Sequence, residues 1–300
     1  MNRKDTVSTC FVLRPRGPHS FAAHAQFLAG FSPAHSSAAE VDGHLHLAFV
    51  PDNQEKAAGV CLQADEESVR GEVFGEGDVD AVGRQVARIL SLDIDGTAYP
   101  EVGRRDPVIG RLQERYPGLR PVLFYSPYEA AVWAIVSQRV QGQQAVLIKQ
   151  RMTEQLGTSV NIHGDRRWAF PAPSRLIELN DFRGLFGRKA EYLQEIGHAA
   201  YDGRLDVTWL RSLPPEEALA EIRKLPGVGE FSSHLILLRG VGIPDGPVPR
   251  EPRLLRALSL AYGLGCEPTD AEVQRISEPW RPYRTWVTFL LRTMLSDLER

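Results

Sequence analysis

The sequence predicts an α+β protein, with a mixed strand and helix layer over residues 1–118, ending in a connector, and an all-helical region over residues 119–300. Three observations carry this prediction. Strand-like alternation is concentrated in the first third of the chain, helical spacing dominates from Leu119 onward, and 300 residues are enough for two modest cores. The composition is 43% hydrophobic and 24% charged, which is that of an ordinary globular protein. No apolar run approaches the ~18–20 residues of a membrane span. The N-terminal stretch "MNRKDTVSTCFVLRP" lacks the apolar core of a signal peptide. Cys10, Cys61 and Cys266 are widely spaced and form no CxxC pair, so a cytoplasmic protein with reduced thiols is expected.

In chain order, "TCFVLRP" and "HLHLAFV" have strand character, and alternation puts His44 and His46 on one face. No third ligand lies near them in sequence, so no metal site is expected. "GVCLQADEESVRGEVFG" suits a hairpin, whereas "SFAAHAQFLAGF" and "DVDAVGRQVARILSL" carry helical spacing. Strands flanked by helices suggest a sheet covered on one face. The Gly-, Pro- and charge-rich stretch from Asp93 to Pro121 is the connector, with one short helix and a boundary near Gly118.

The helical region opens with "SPYEAAVWAIVSQRV". Ser126 is placed to cap, Pro127 suits the first turn and Glu129 suits a capping box. Helices are expected at "QQAVLIKQRMTEQLG", "SRLIELN", "GRKAEYLQEIGHAAYDG", "PEEALAEIRKL", "EFSSHLILLRG", "PRLLRALSLAYGL", "DAEVQRISEPW" and "YRTWVTFLLRTMLSDL". Trp133, Trp280 and Trp286 sit among apolar residues and are expected in the core.

Between two of these helices lies "LPGVG". Gly227 and Gly229 allow a tight turn and a close approach of backbone to an anion, and the next helix begins with free N–H groups. A backbone grip of this kind positions a phosphate without reading sequence. Net charge is −3, but from Leu119 onward 23 Lys and Arg face 21 Asp and Glu, compatible with one basic face. Only five cations are lysine, and arginine suits phosphate forks.

The stretch from Leu225 to Leu258, "LPGVGEFSSHLILLRGVGIPDGPVPREPRLLRAL", resembles the helix–hairpin–helix DNA glycosylase superfamily, and within it the bacterial inducible 3-methyladenine DNA glycosylases. "SPYEAAVWAIVSQRV", "GRKAEYLQEIGHAAYDGRL" and "SEPWRPYRTWVTFLLRTML" extend the resemblance over most of the chain. It implies that the N-terminal layer is like half of a TATA-binding protein saddle. It further implies a monomer acting on double-stranded DNA containing damaged bases, associated with the bacterial nucleoid through that DNA. Such enzymes flip out a damaged nucleotide, here expected to carry an alkylated base, and hydrolyse its base–sugar bond, with a carboxylate stabilising the oxocarbenium-like transition state.

Counted without gaps from the hairpin, the family's catalytic aspartate falls on Glu251, and Asp245 lies in a turn six residues earlier. The resemblance assigns DNA contacts to Gly227, Val228, Gly229 and Ser232, with Arg139 as the wedge beside Gln138. It assigns the base pocket to Phe231, Leu235, Pro252 and Arg292. Rings are the family's habit in that pocket, and only Phe231 keeps one. Members that nick abasic DNA carry a lysine where this chain has Phe231, so a glycosylase without lyase activity is expected, and Lys224 suits a phosphate contact or a solvated charge. No cofactor is implied beyond a monovalent cation on the hairpin carbonyls. The alternative is a catalytically silent DNA-binding relative that keeps the hairpin and has lost the pocket. The direction in which Glu251 points separates the two.

Overall fold

A computed structural model describes residues 9–34, 36–65 and 67–299. Five antiparallel strands, β1 (Cys10–Leu13), β2 (Ala38–Val41), β3 (His44–Phe49), β4 (Ala58–Ala64) and β5 (Val69–Gly75), form a sheet in the order β1-β5-β4-β3-β2. Alternation splits the sheet into two faces. Leu45, Leu47, Phe49, Val60, Leu62 and Val73 pack with residues of the helices Phe21–Gly30 and Val79–Ile89 in one buried cluster. Both helices begin where short side chains cap them, Ser20 accepting from the Ala23 N–H and Asp78 from the Ala81 N–H.

The opposite face of the sheet is also covered. Residues 119–300 are not all helical: β6 (Thr158–Ile162) and β7 (Asp165–Ala169) pair as a hairpin that lies on β3, β4 and β5. Its two-residue loop is His163-Gly164, at φ 50° and 91°, the left-handed pair that matches strand twist. Gly59 makes room for it, since a Cβ there would stand 2.8 Å from the side chains of Val160 and Ile162. The cover corrects a second expectation as well. His44 and His46 do have a third ligand-type neighbour, because strand register sets Cys61 directly opposite His46.

The connector holds two helices, Pro100–Arg105 and Pro107–Arg115, instead of one. Their apolar residues Val102, Ile109 and Leu112 share a core with the helices Pro252–Tyr262, Asp270–Ser277 and Arg284–Leu298. Trp280 and Trp286 lie in that core and Trp133 at the edge of another, as expected. A second helical core gathers residues from Phe124 to Val241. The helix Val207–Ser212, capped by Asp206, is additional to those foreseen.

At the start of the helix Pro127–Val136, Ser126 accepts from the Glu129 N–H at 3.1 Å. Glu129 does not close a capping box. Its carboxylate takes the buried Lys149 Nζ at 3.1 Å, because a buried ammonium needs a counter-charge more than an N-cap needs a second bond. Arg120 is fully buried and donates to the carbonyls of Arg16, Pro18, Ser91 and Ile94, tying the N-terminal layer to the connector. Among the described residues, no helix is long and apolar enough to cross a membrane.

Candidate active site

The hairpin joins the helix Pro215–Arg223 to the helix Glu230–Leu235, which runs on as a π-helical turn through Val241. Gly227 has φ 80°, a conformation costly for other residues, and a Cβ there would meet Tyr192 at 2.5 Å and Ile135 at 2.9 Å. Gly229 is the N-cap of the second helix and makes no side-chain cap bond, and the space around it is open. The first-turn amides therefore face outward without an intrahelical partner. Val228 is buried as the hydrophobic anchor of the turn.

Gln138 and Arg139 lie in the loop after the helix Pro127–Val136. The Gln138 amide donates to the Gly227 carbonyl at 2.8 Å, so it braces the hairpin from behind. Lys189 donates to the carbonyls of Val136 and Gln138 at 2.9 and 2.7 Å, and burial pulls its ammonium pKa down. Arg139 is exposed, at φ 52°, on the tip that these two bonds fix. Lys224 pairs with Glu221 at 2.7 Å on the surface. The Ser232 side chain is buried, one helical step inward of the exposed Phe231, so only its backbone amide remains for an anion.

Behind the hairpin lies a cleft of about 60 Å³. Phe231, Leu235, Glu251 and Arg292 all line it, so the structure brings together four residues assigned from far-apart segments. Pro252, expected with them, does not. It occupies the first position of the helix Pro252–Tyr262, where its ring is exposed. Glu251 is the N-cap of that helix and is 6% exposed. Its Oε1 accepts from the Leu254 N–H at 3.0 Å and from Arg292 Nη1 at 2.6 Å. Both bonds use the same oxygen. The extended backbone that a following proline favours places the side chain over the helix start.

Sequence reasoning missed Arg239 and Phe289. Both line the cleft and also an adjoining hollow of about 560 Å³ that shares Arg292. The Arg239 guanidinium lies 5.0 Å from the Phe289 ring centre and 5.4 Å from those of Phe27 and Phe31. Burial, and then the Arg292 charge, lower its pKa to about 9. Its Nη2 donates to the Val122 carbonyl at 2.6 Å, while Nε is buried with no partner among the described residues. The available signal was a lone arginine inside the apolar run "LILLRGV". Asp245 is not a rival carboxylate in this cleft: Arg281 and Arg284 clamp it at 3.0 and 2.7 Å.

No protein-family model matches the chain. The chain is 25% identical over 211 residues to a DNA-3-methyladenine glycosylase of Bacillus subtilis, covering 69% of each protein. In fold it is similar to a 3-methyladenine DNA-glycosylase from Archaeoglobus fulgidus, with TM-score 0.79, 21% identity and coverage of 96% of this chain and 99% of that one. It is also similar to an 8-oxoguanine glycosylase/lyase of Clostridium acetobutylicum in complex with DNA, with TM-score 0.66, 16% identity and coverage of 98% and 99%.

Proposed function

We propose that the chain, whose relatives include 3-methyladenine DNA glycosylases, is a helix–hairpin–helix DNA glycosylase that removes damaged bases from duplex DNA by hydrolysis. The observation that carries this is the Glu251 carboxylate, buried on the cleft immediately behind the hairpin helix. The backbone amides after Gly229 hold a phosphate next to the lesion. Arg139 fills the gap in the stack, for which a fixed, exposed cation with a planar head is suited. The flipped nucleotide enters the cleft at a cost of a few kcal/mol in unstacking.

As the base–sugar bond lengthens, positive charge develops on the sugar. The Glu251 carboxylate, anchored through Oε1 to Leu254 and Arg292, stabilises that charge from the cleft wall. A water adds at the anomeric carbon and gives up one proton to the departing base or to solvent, and the base leaves with the bonding pair. A preorganised charge of this kind needs no reorganisation at the moment of reaction, and such a group commonly supplies about 10²–10³ in rate. Glutamate reaches roughly 1.5 Å further than aspartate. Anchoring by Arg292 holds the longer side chain in place.

Excision without strand cleavage is part of the same proposal. Phe231 stands where a lyase lysine would be, Lys189 is tied to two carbonyls, and Lys224 is paired on the surface. The half TATA-binding-protein likeness of the N-terminal layer also belongs to the proposal, supported by its five antiparallel strands with two helices on one face. A monovalent cation at the hairpin would share the Leu225 and Gly227 carbonyls, which already accept from Val228 and Gln138.

A second reading concerns the base. The Phe289 ring that would attract a cationic alkylated base is already occupied by Arg239, and Arg292 adds a second positive charge to the wall. That arrangement favours neutral lesions, oxidised or deaminated. The test is base release across a panel of alkylated, deaminated and oxidised duplexes, with borohydride added in parallel. Release without a trapped protein–DNA adduct is expected. No release from any duplex, or an adduct, would overturn the corresponding part.

A further inference from the structure

We propose that the outer face of the N-terminal sheet binds one zinc-type divalent ion through His44, His46 and Cys61. The ion would sit beneath the β6–β7 hairpin, and none of its ligands lines the catalytic cleft. His46 and Cys61 are direct partners across β3 and β4, and His44 lies two residues along β3 on the same face. The three potential ligand atoms lie within 4.8 Å of one another, and His44 Nδ1 is 3.4 Å from Cys61 Sγ. A tetrahedral zinc site with bonds of about 2.0–2.1 Å to nitrogen and about 2.3 Å to sulfur has N–S edges of about 3.6 Å. One edge is therefore already close to that length, and the third ligand atom lies within 4.8 Å of both.

The surroundings are those of a metal-binding imidazole. His46 Nδ1 is 3.0 Å from Asp165 Oδ2, which leaves Nε2 available to a metal. Asp165 is itself held by Arg167 through two bonds of 2.7 and 2.6 Å. A carboxylate on the far nitrogen fixes the tautomer and ring plane and raises ligand basicity. At His44, Nδ1 lies 3.4 Å from Cys61 Sγ and 3.1 Å from the Gln63 amide nitrogen. Cys61 is buried, and burial together with the Glu72 charge pushes its thiol pKa up. Without an ion it carries its proton; a bound dication forms the metal–sulfur bond as the S–H proton leaves to solvent. Glu72, opposite Cys61 on β5 and paired with His163 Nε2 at 3.1 Å, flanks the fourth position. Two imidazoles and a thiolate suit zinc, and they disfavour magnesium and calcium, which require oxygen ligands. Because Asp165 and His163 belong to the hairpin, the ion would also fasten the hairpin to the sheet.

The full chain, stripped by chelation, should take up one Zn²⁺ per molecule with release of about one proton and a raised unfolding temperature. Co²⁺ should give the sulfur-to-metal charge-transfer band of a thiolate ligand. Cys61→Ser should abolish that band, and Cys10→Ser and Cys266→Ser should leave it. Asp165→Asn should weaken Zn²⁺ about 10–100-fold. His44 is only partly buried, so His44→Gln remains informative if Cys61→Ser fails to fold, and it should weaken binding at least as much. Absence of stoichiometric uptake, or a band that survives both Cys61→Ser and His44→Gln, would overturn the site.

Discussion

At the scale of the residue, Glu251 has two structural duties and one proposed chemical one. It caps a helix and receives Arg292, and both bonds fall on Oε1. Ungapped counting from the hairpin singles it out across the loop that follows Val241, and its side chain lines the cleft behind the hairpin helix. The direction in which a side chain points was less legible. Pro252 follows Glu251 in sequence yet points to solvent, and Ser232 follows Phe231 yet points inward, because one residue turns a helix by about 100°. Arg292 tests the reading of the base. Arg292→Leu removes one positive charge from the cleft wall and releases Glu251 from its anchor. Release of neutral lesions should fall about 10-fold or more, as expected for a misplaced group, while cationic alkylated bases should lose less or gain. Equal losses on both classes in kcat/KM would show that Arg292 does not discriminate charge.

At the scale of the element, the two hairpin glycines separate folding from binding. Gly227 has positive φ and no room for a Cβ, so Gly227→Ala should lower stability along with binding. Gly229 has open space and an ordinary extended backbone, so Gly229→Leu should leave the unfolding midpoint within about 1 kcal/mol of wild type. It should still weaken duplex affinity on any sequence by blocking phosphate approach. Fluorescence anisotropy on two unrelated duplexes checks this, and unchanged affinity would remove the hairpin from the interface. Helices with local start signals, such as those after Asp78 and Ser126, were legible because a cap and its first turn lie within four residues. The β6–β7 hairpin was not. Its strands are short and rich in charge at Asp165, Arg166 and Arg167, and its apolar residues Val160 and Ile162 gain meaning only against Gly59, about a hundred residues earlier.

At the scale of the whole molecule, the packed cores of the described residues enclose buried polar groups, and these groups respond to pH. His24 is fully buried, and neither ring nitrogen has a partner among the described residues. Burial first, then the charges of Arg120 and His19, lower its pKa to about 3. The unfolded chain takes up this proton near pH 6.5, whereas the folded chain does so only near pH 3. Stability should therefore fall as pH drops through that window, with a slope approaching about 1.4 kcal/mol per pH unit from this group. Urea unfolding of His24→Leu between pH 7 and 4.5 should show a flatter acid limb than wild type, and parallel limbs would contradict the assignment. The central claim concerns chemistry, and one measurement reaches it most directly: single-turnover base release by wild type and Glu251→Gln on the best duplex of the lesion panel. The amide keeps the cap to Leu254 and removes the charge. The expected result is release slowed by about 10²–10³ with duplex affinity held or slightly raised. Release by Glu251→Gln at the wild-type rate would contradict it.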